Sequence, residues 1–450
     1  MPAKHFVLIF VFALPLFSQQ TPDTNALLQS VLQRMDTLEQ QNRQLAQELH
    51  ELREQLAAGR PKDEAVPTTS VPLDERVAVA ENRIDEQAQT KVEAAHKMPI
   101  SITGQLLFNA FSNTGNLRAL PDSVYSPFIE SSSSTGATVQ QTMIGFDFNG
   151  PSLPGDGKVN AHMMLDFYPE TPSQQLQWIR MRSSDISFDW RHRSVTFAFD
   201  KPLISPRQPE SLSEVSIPPL AGSGNLWLWL PQVRYEERFN LGNASGINVQ
   251  TALLETDETL NYVPAAFAAS LEKSRPAFES RVGIWRKWND RQHLELATGF
   301  HSSTTHVAST SVDSRIFSVD WLAAPFSKLQ ISGTWIYGQN FASLGALSNG
   351  FSFLNAGVVT PVHSAAGWTQ FSVPVTNRLT FNAFGGFQDN RTDDVEDGDV
   401  SANFSYAGNL IYHISQNVAF SVEALQMRTR LKQDGDQIRN RYDLAVAYFF

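Results

Sequence analysis

The last dozen residues constrain this chain most. Along Arg439 to Phe450, Tyr442, Leu444, Val446, Tyr448 and Phe450 fall on one face of an extended segment. Arg439, Arg441, Asp443, Ala445 and Ala447 fall on the other. A period of two is the signature of a strand whose faces meet different surroundings. Aromatic residues stand at both ends of the apolar face, with aliphatic residues between them. That arrangement is expected where one face touches hydrocarbon, the other touches water, and aromatic girdles sit at the two interfaces.

Composition agrees with many such strands in one chain of 450 residues. The sequence holds 30 Phe, 9 Trp and 9 Tyr, yet its mean hydropathy is only −0.25. After the first residues no run of apolar residues is long enough for a membrane-crossing helix. Strands that show hydrocarbon only at alternate residues reconcile the two facts. Cysteine is absent, which excludes a disulfide framework, a thiolate nucleophile and cysteine-based metal sites. A formal net charge of −11 argues against nucleic acid as a partner.

Lys4 and His5 precede an apolar run from Phe6 to Phe17. This run is too short to span a bilayer and fits the core of an export signal, assigned to residues 1–19. Residues 25–57 carry a heptad seam. Leu28, Met35, Asn42, Leu49 and Leu56 recur every seven residues, and Val31, Leu38, Leu45 and Leu52 recur with the same spacing, offset by three. The pattern predicts a coiled coil with Asn42 at a core position, where a buried amide sets register. Residues 58–98 read as a Pro-rich linker (Pro61, Pro67, Pro72) with a second short helix at Leu73, Val77, Ala80 and Ile84.

From residue 99 the helical period gives way to alternation. Candidate strands are 100–111, 140–149, 158–168, 177–189, 193–200, 226–239, 246–255, 278–287, 292–302, 314–322, 328–338, 362–373, 378–388, 400–413, 417–428 and 439–450. Short connections such as Arg191-His192 and Pro374 to Asn377 alternate with long ones at 112–139, 201–225, 256–277 and 339–361. Short turns at one end and long loops at the other mark a transmembrane β-barrel, with the short turns periplasmic. The expected fold is all-β: sixteen antiparallel strands at 99–450, with the α-helical coiled coil in the periplasm. A barrel of this size leaves an aqueous lumen.

This order resembles the DcaP-like outer-membrane porins, which pair a periplasmic coiled coil with a sixteen-stranded trimeric barrel and are associated with dicarboxylates and other anionic solutes. A local match supports it: Pro209-Glu210-Ser211-Leu212, then Pro218-Pro219-Leu220-Ala221-Gly222-Ser223-Gly224, then Pro231-Gln232-Val233-Arg234-Tyr235. Trp227-Leu228-Trp229-Leu230 stands where that family more often carries Arg. Phosphate-selective porins are the nearest rival family. The aromatic end resembles the terminal strand of bacterial outer-membrane barrels, which implies that Tyr448 and Phe450 serve as a signal to the barrel assembly machinery. The resemblance further implies a homotrimer among outer-membrane lipid and lipopolysaccharide, with small hydrophilic or anionic solutes as cargo and no cofactor.

A porin works by size and by the electric field at its constriction. Strand register points Arg180, Arg182, Arg234, Glu236, Arg238 and Arg281 into the lumen, since charge on the lipid face at mid-membrane costs about 2–4 kcal/mol. Asp147, Asp166, Glu279, Glu295, Asp320 and Glu423 also read as lumenal, so the charge is mixed. The loop 201–225 is the third connection on the long side, and general porins fold that loop inward. Lys201, Arg207, Glu210 and Glu214 are therefore constriction candidates, on a loop stiffened by five prolines. The acidic run Asp393, Asp394, Glu396, Asp397 and Asp399 reads as a solvated outer loop or a divalent-cation site shared with lipopolysaccharide. Two other functions compete: a structural anchor tethering the envelope through the coiled coil, and a barrel hydrolase. No nucleophile motif or metal-ligand spacing supports catalysis, so the expected chain is not an enzyme.

Overall fold

The computed structural model describes residues 99–114, 133–168, 178–213, 217–347, 349–354 and 358–450. The signal segment, the heptad region and the linker lie outside the described residues. The strands are β1 (Ile100–Asn113), β2 (Ser134–Thr138 continued by Met143–Leu153), β3 (Gly157–Tyr168), β4 (Trp178–Asp189), β5 (Arg193–Asp200), β6 (Leu230–Asn240), β7 (Ser245–Glu255) and β8 (Pro276–Asn289). They continue as β9 (Gln292–Val307), β10 (Thr310–Phe326), β11 (Leu329–Gln339), β12 (His363–Pro374), β13 (Leu379–Asn390), β14 (Val400–His413), β15 (Val418–Leu431) and β16 (Gly435–Phe449). Each pairs antiparallel with the next, and β16 returns to β1, with Gln105 opposite Phe449 and Asn113 opposite Arg441. Gly104 N–H donates to the Phe450 carbonyl at 3.0 Å, and Phe450 N–H donates to the Gly104 carbonyl at 3.1 Å. The barrel is closed, with all sixteen expected strands present.

Three stretches differ from the sequence expectation. Residues 134–138, expected within the first long connection, pair with β1 as the upper part of β2. Side-chain hydroxyls bridge the break at 139–142: Thr138 Oγ1 accepts from Gln140 N–H at 3.0 Å, and Thr142 Oγ1 accepts from Leu107 N–H at 3.1 Å. Residues 303–313, expected as a connection, mostly extend β9 and β10 to a tight hairpin. Its central residues, Ala308 (φ 49) and Ser309 (φ 62), adopt the left-handed geometry that matches strand twist. Residues 226–229, expected to open β6, instead belong to the preceding loop. Their run of Leu and Trp lacks alternation because both sides are packed.

The outer face carries the expected girdles. Phe381, Tyr412 and Tyr448 are exposed near the short-turn end, and Phe387, Phe404 and Tyr406 near the long-loop end. Leu410, Val422, Leu444 and Val446 lie between them, also exposed. Two sectors divide the inner face. From β2 to β9 its positions include Asp147, His162, Asp166, Arg180, Asp185, Arg234, Glu236, Arg281 and Glu295. From β11 to β14 they are uncharged, with Ser332, Thr334, Ala366, Asn382, Asn403, Ser405 and Asn409 all buried. Val422→Arg, on the lipid face between the girdles, should lower unfolding stability in lipid vesicles by about 2–4 kcal/mol; denaturant titration followed by tryptophan fluorescence measures it.

Candidate functional site: the lumenal constriction

The connection from β5 to β6, residues 201–229, folds into the barrel and docks on most of its wall. Near its start, Leu203 N–H donates to Glu279 Oε2 on β8 at 2.6 Å. Glu279 in turn meets His301 Nδ1 on β9 at 2.9 Å, with both side chains fully buried. Farther on, Glu210 N–H donates to Gln370 Oε1 on β12 at 2.6 Å. Ser211 Oγ donates to Glu423 Oε2 on β15 at 2.6 Å, and Asn109 Nδ2 on β1 donates to the Ser213 carbonyl at 2.7 Å. Near the loop's far turn, Asn403 Nδ2 on β14 donates to the Gly222 carbonyl at 2.7 Å, and the hydroxyls of Ser223 and Ser405 meet at 2.7 Å. The small and amide side chains of β11 to β14 are thus a seat for this loop.

Glycine makes the closest approach possible. Gly224 has φ +95, a left-handed value, and a Cβ there would meet the Phe387 carbonyl at 2.5 Å and collide with the Gly367 backbone. On the wall, a Cβ at Gly386 would collide with the Ser223 carbonyl and lie 2.9 Å from the Gly367 carbonyl. Apolar packing completes the anchor. Leu203, Ile204 and Leu226 from this loop pack with Phe341 and Leu344 of the β11–β12 connection and with Ile316 and Ile336 of the wall. Leu228 N–H donates to the Leu344 carbonyl at 3.4 Å.

The structure turns every sequence-selected strand arginine inward. Arg180 binds Asp166 through Nε at 2.9 Å and Nη2 at 2.6 Å, and Arg182 Nη1 reaches the same carboxylate at 3.3 Å. Both guanidiniums lie over the Trp229 ring, at 5.3 and 4.9 Å from its centroid. Arg234 donates to Gln232 Oε1 at 2.7 Å, to Asp200 Oδ2 at 3.0 Å and to the Lys201 carbonyl. Arg238 donates to the Trp190 carbonyl at 3.0 Å, near the short-turn end. Arg281 forms a two-pronged pair with Asp320 at 2.8 and 2.7 Å and donates to Gln250 at 2.9 Å. On the loop, Arg207 donates to Glu295 and comes within 3.5 Å of Asp320. Arg207, Arg281, Asp320 and Glu295 are therefore one network linking loop to wall.

Of the other loop candidates, Lys201 donates to Gln208 within the loop. Burial, reinforced by the neighbouring Arg182 charge, lowers its ammonium to about 7. Glu210 stays exposed to the lumen, and partial desolvation beside the wall raises its carboxyl above the usual range. Glu214 lies outside the described residues. The acidic run after β13 is tied to neighbouring elements: Asp394 Oδ2 faces His363 Nδ1 on β12 at 2.8 Å, and Asp397 faces Lys432 of the β15–β16 turn at 3.5 Å. Among the described residues no group of His, Asp or Glu is arranged to hold a metal ion. Tyr448 and Phe450 stack on the outer face, with ring centroids 6.5 Å apart. Sequence reasoning missed Trp229, the glycine seat and the inward Leu344. The one available signal was the lack of inward charge along β11 to β14.

A closed sixteen-stranded barrel with an inward-folded loop and a charged, water-exposed wall has the porin fold. No family model and no curated relative matches the chain. Among solved structures, the outer membrane channel DcaP of Acinetobacter baumannii aligns with a TM-score of 0.63 at 16% identity, covering 78% of this chain and 97% of that one. An anion-selective porin from Comamonas acidovorans aligns with a TM-score of 0.52 at 12% identity, covering 78% of this chain and 99% of that one. The resemblance drawn from the sequence therefore holds at the level of fold.

Two outcomes follow from this geometry. Gly386→Ala should push Ser223 and Gly224 off the wall, at a backbone cost of about 1–3 kcal/mol, and change single-channel conductance. Gly408→Ala, where the nearest atoms to a Cβ lie at 3.7 Å, should leave conductance as it was. Lys201 titrates around neutrality, so lowering the pH through about 7 adds positive charge beside the constriction. Anion over cation permeability should rise between pH 8 and pH 6, and Lys201→Met should flatten that rise; reversal potentials at each pH measure both.

Proposed function

We propose that the chain is a passive diffusion channel of the bacterial outer membrane for small hydrophilic solutes, with a preference for anions such as dicarboxylates. The carrying observation is the constriction itself. A loop is anchored at many points around the wall, while the sector from β2 to β9 keeps charged side chains in water. Asp147 and Glu295 retain 45% and 44% of their side-chain exposure, and Arg180 retains 27%. Permeating solutes follow that sector, because loop and wall are packed together along the opposite one.

Support for an anion preference comes from six inward guanidiniums, Arg180, Arg182, Arg234 and Arg281 on the wall and Arg207 on the loop, with Arg238 nearer the short-turn end. Guanidinium remains charged at every physiological pH, and a low-dielectric wall concentrates counter-ions near such groups. The carboxylates beside them orient the arginines and moderate the field. The anion-selective porin with the same fold is consistent with this reading. By the same reading the chain carries an export signal and a periplasmic coiled coil, assembles as a homotrimer, and uses Tyr448 and Phe450 for assembly. A structural anchor would have no use for a water-exposed charged band at a narrowed lumen.

Purified protein in planar bilayers should conduct in steps of three. A folded barrel that leaves the bilayer sealed would end the channel reading. In a salt gradient, Arg234→Ala should shift the reversal potential toward cations. An unchanged potential would remove Arg234 from the selectivity filter.

A further inference from the structure

A second lumenal feature lies between the constriction loop and the short-turn mouth. Trp285 and Lys287 face inward near the end of β8, directly beside Glu295 of β9, which is the cross-strand partner of Trp285. Gly246 on β7 lies opposite Trp285 on the other side. The indole lies across Gly246, where a Cβ would come 2.6 Å from its Nε1. One step up the wall, Gly283 has no side chain and faces Asn248. A Cβ at Gly283 would press on Ala297 Cβ at 3.2 Å and lie 3.8 Å from Arg281 Nη1, so the absence of a side chain there is what leaves the recess its depth. Arg281 closes the top. The result is a cavity of 330 Å³ lined by Asn248, Arg281, Gly283, Trp285, Lys287 and Glu295.

The charges around this recess differ from those at the constriction. Arg281 is already held by Asp320 and Gln250. Lys287 is exposed and forms no ion pair among the described residues. Glu295 meets Arg207 yet keeps 44% of its side chain exposed. One available cation, one accessible carboxylate and an aromatic plane therefore converge on a space near the lower end of the ~300–1,000 Å³ typical of ligand pockets. A solute that is only anionic meets Glu295 as a like charge, and one that is only cationic meets Lys287 and Arg281. A solute with both charges and an apolar group satisfies all three surfaces, the apolar group lying on the indole.

We propose that this recess is a docking subsite for small zwitterionic solutes with an apolar or aromatic side chain, such as free α-amino acids. The carboxylate sits at Lys287, the ammonium at Glu295 and the side chain on Trp285. Gly283 supplies the space. The inference rests on the diffusion-channel reading, and adds a second solute class on the short-turn side of the constriction.

The test uses the full chain in planar bilayers with three probes: L-phenylalanine, N-acetyl-L-phenylalanine, which is only anionic, and L-phenylalaninamide, which is only cationic. Added on the short-turn side, L-phenylalanine should interrupt the single-channel current, and each derivative should do so about tenfold less often, the equivalent of a tenfold weaker affinity. Gly283→Leu, which fills the recess, should abolish the interruptions, and Trp285→Ala should shorten them. Calorimetric titration of the detergent-solubilised chain with the same probes reads binding whether or not the protein conducts. The subsite is overturned if L-phenylalanine neither binds nor interrupts the current, if N-acetyl-L-phenylalanine matches it, or if Gly283→Leu responds as the parent does. A chain that binds L-phenylalanine selectively but carries no current would overturn the channel reading and leave the subsite standing.

Discussion

A backbone amide or carbonyl facing hydrocarbon has no solvent partner, and each unmet group costs several kcal/mol. A sheet that crosses a bilayer must therefore leave no edge. The pairing of β16 with β1 meets that requirement, and the last residue takes part through reciprocal bonds between Gly104 and Phe450. Closure dictates the rest of the wall. An even number of strands returns the chain to the end where it began. Alternate side chains are divided between lipid and lumen along every strand, so register cannot slip by one residue without carrying charge into hydrocarbon.

Inside the wall a second packing problem is solved. The loop 201–229 brings apolar side chains into the lumen, where Leu203, Ile204 and Leu226 join Phe341, Leu344 and Ile336 in a cluster away from water. The wall behind it responds in composition. Uncharged inner positions on β11 to β14 hydrogen-bond the loop's carbonyls and hydroxyls, as Asn403, Ser405 and Asn409 do. Charge on that side would be buried, and a buried charge needs partners to offset its desolvation. Several buried carboxylates are paired, Asp166 with two arginines, Asp320 with Arg281, and Glu279 with His301 and the Leu203 amide, while Glu423 is held by the Ser211 hydroxyl and the Asn409 amide. The lumen is accordingly lopsided, packed on one side and wet on the other.

Much of this was legible in the chain. Strands such as 158–168 and 400–413 alternate cleanly, and together with the alternation of short and long connections they specify a barrel wall whose parity turns Arg180, Arg234 and Arg281 inward. Alternation failed where the chain left the wall or where side chains stood in for backbone. Trp227 to Leu230 resembles the start of a buried strand because a loop packed on both sides loses its period. The break at 139–142 is bridged by the hydroxyls of Thr138 and Thr142, and threonine occurs throughout strands. Ala308 and Ser309 form a left-handed hairpin turn without the Gly or Asn that would have announced it.

Residue order alone determined which side chains face lipid, how many strands close the wall and at which end the connections are short. Each depends on a period of two and on solvent contrast, which are local properties. Tertiary structure decided which carboxylate meets which arginine, that Trp229 lies beneath Arg180 and Arg182, and that Gly224, Gly367 and Gly386 bring loop and wall into backbone contact. Contacts between loop and wall join residues as many as 212 positions apart, as between Ser211 and Glu423. No local pattern encodes such a pairing, because it exists only once the wall has curved around the loop.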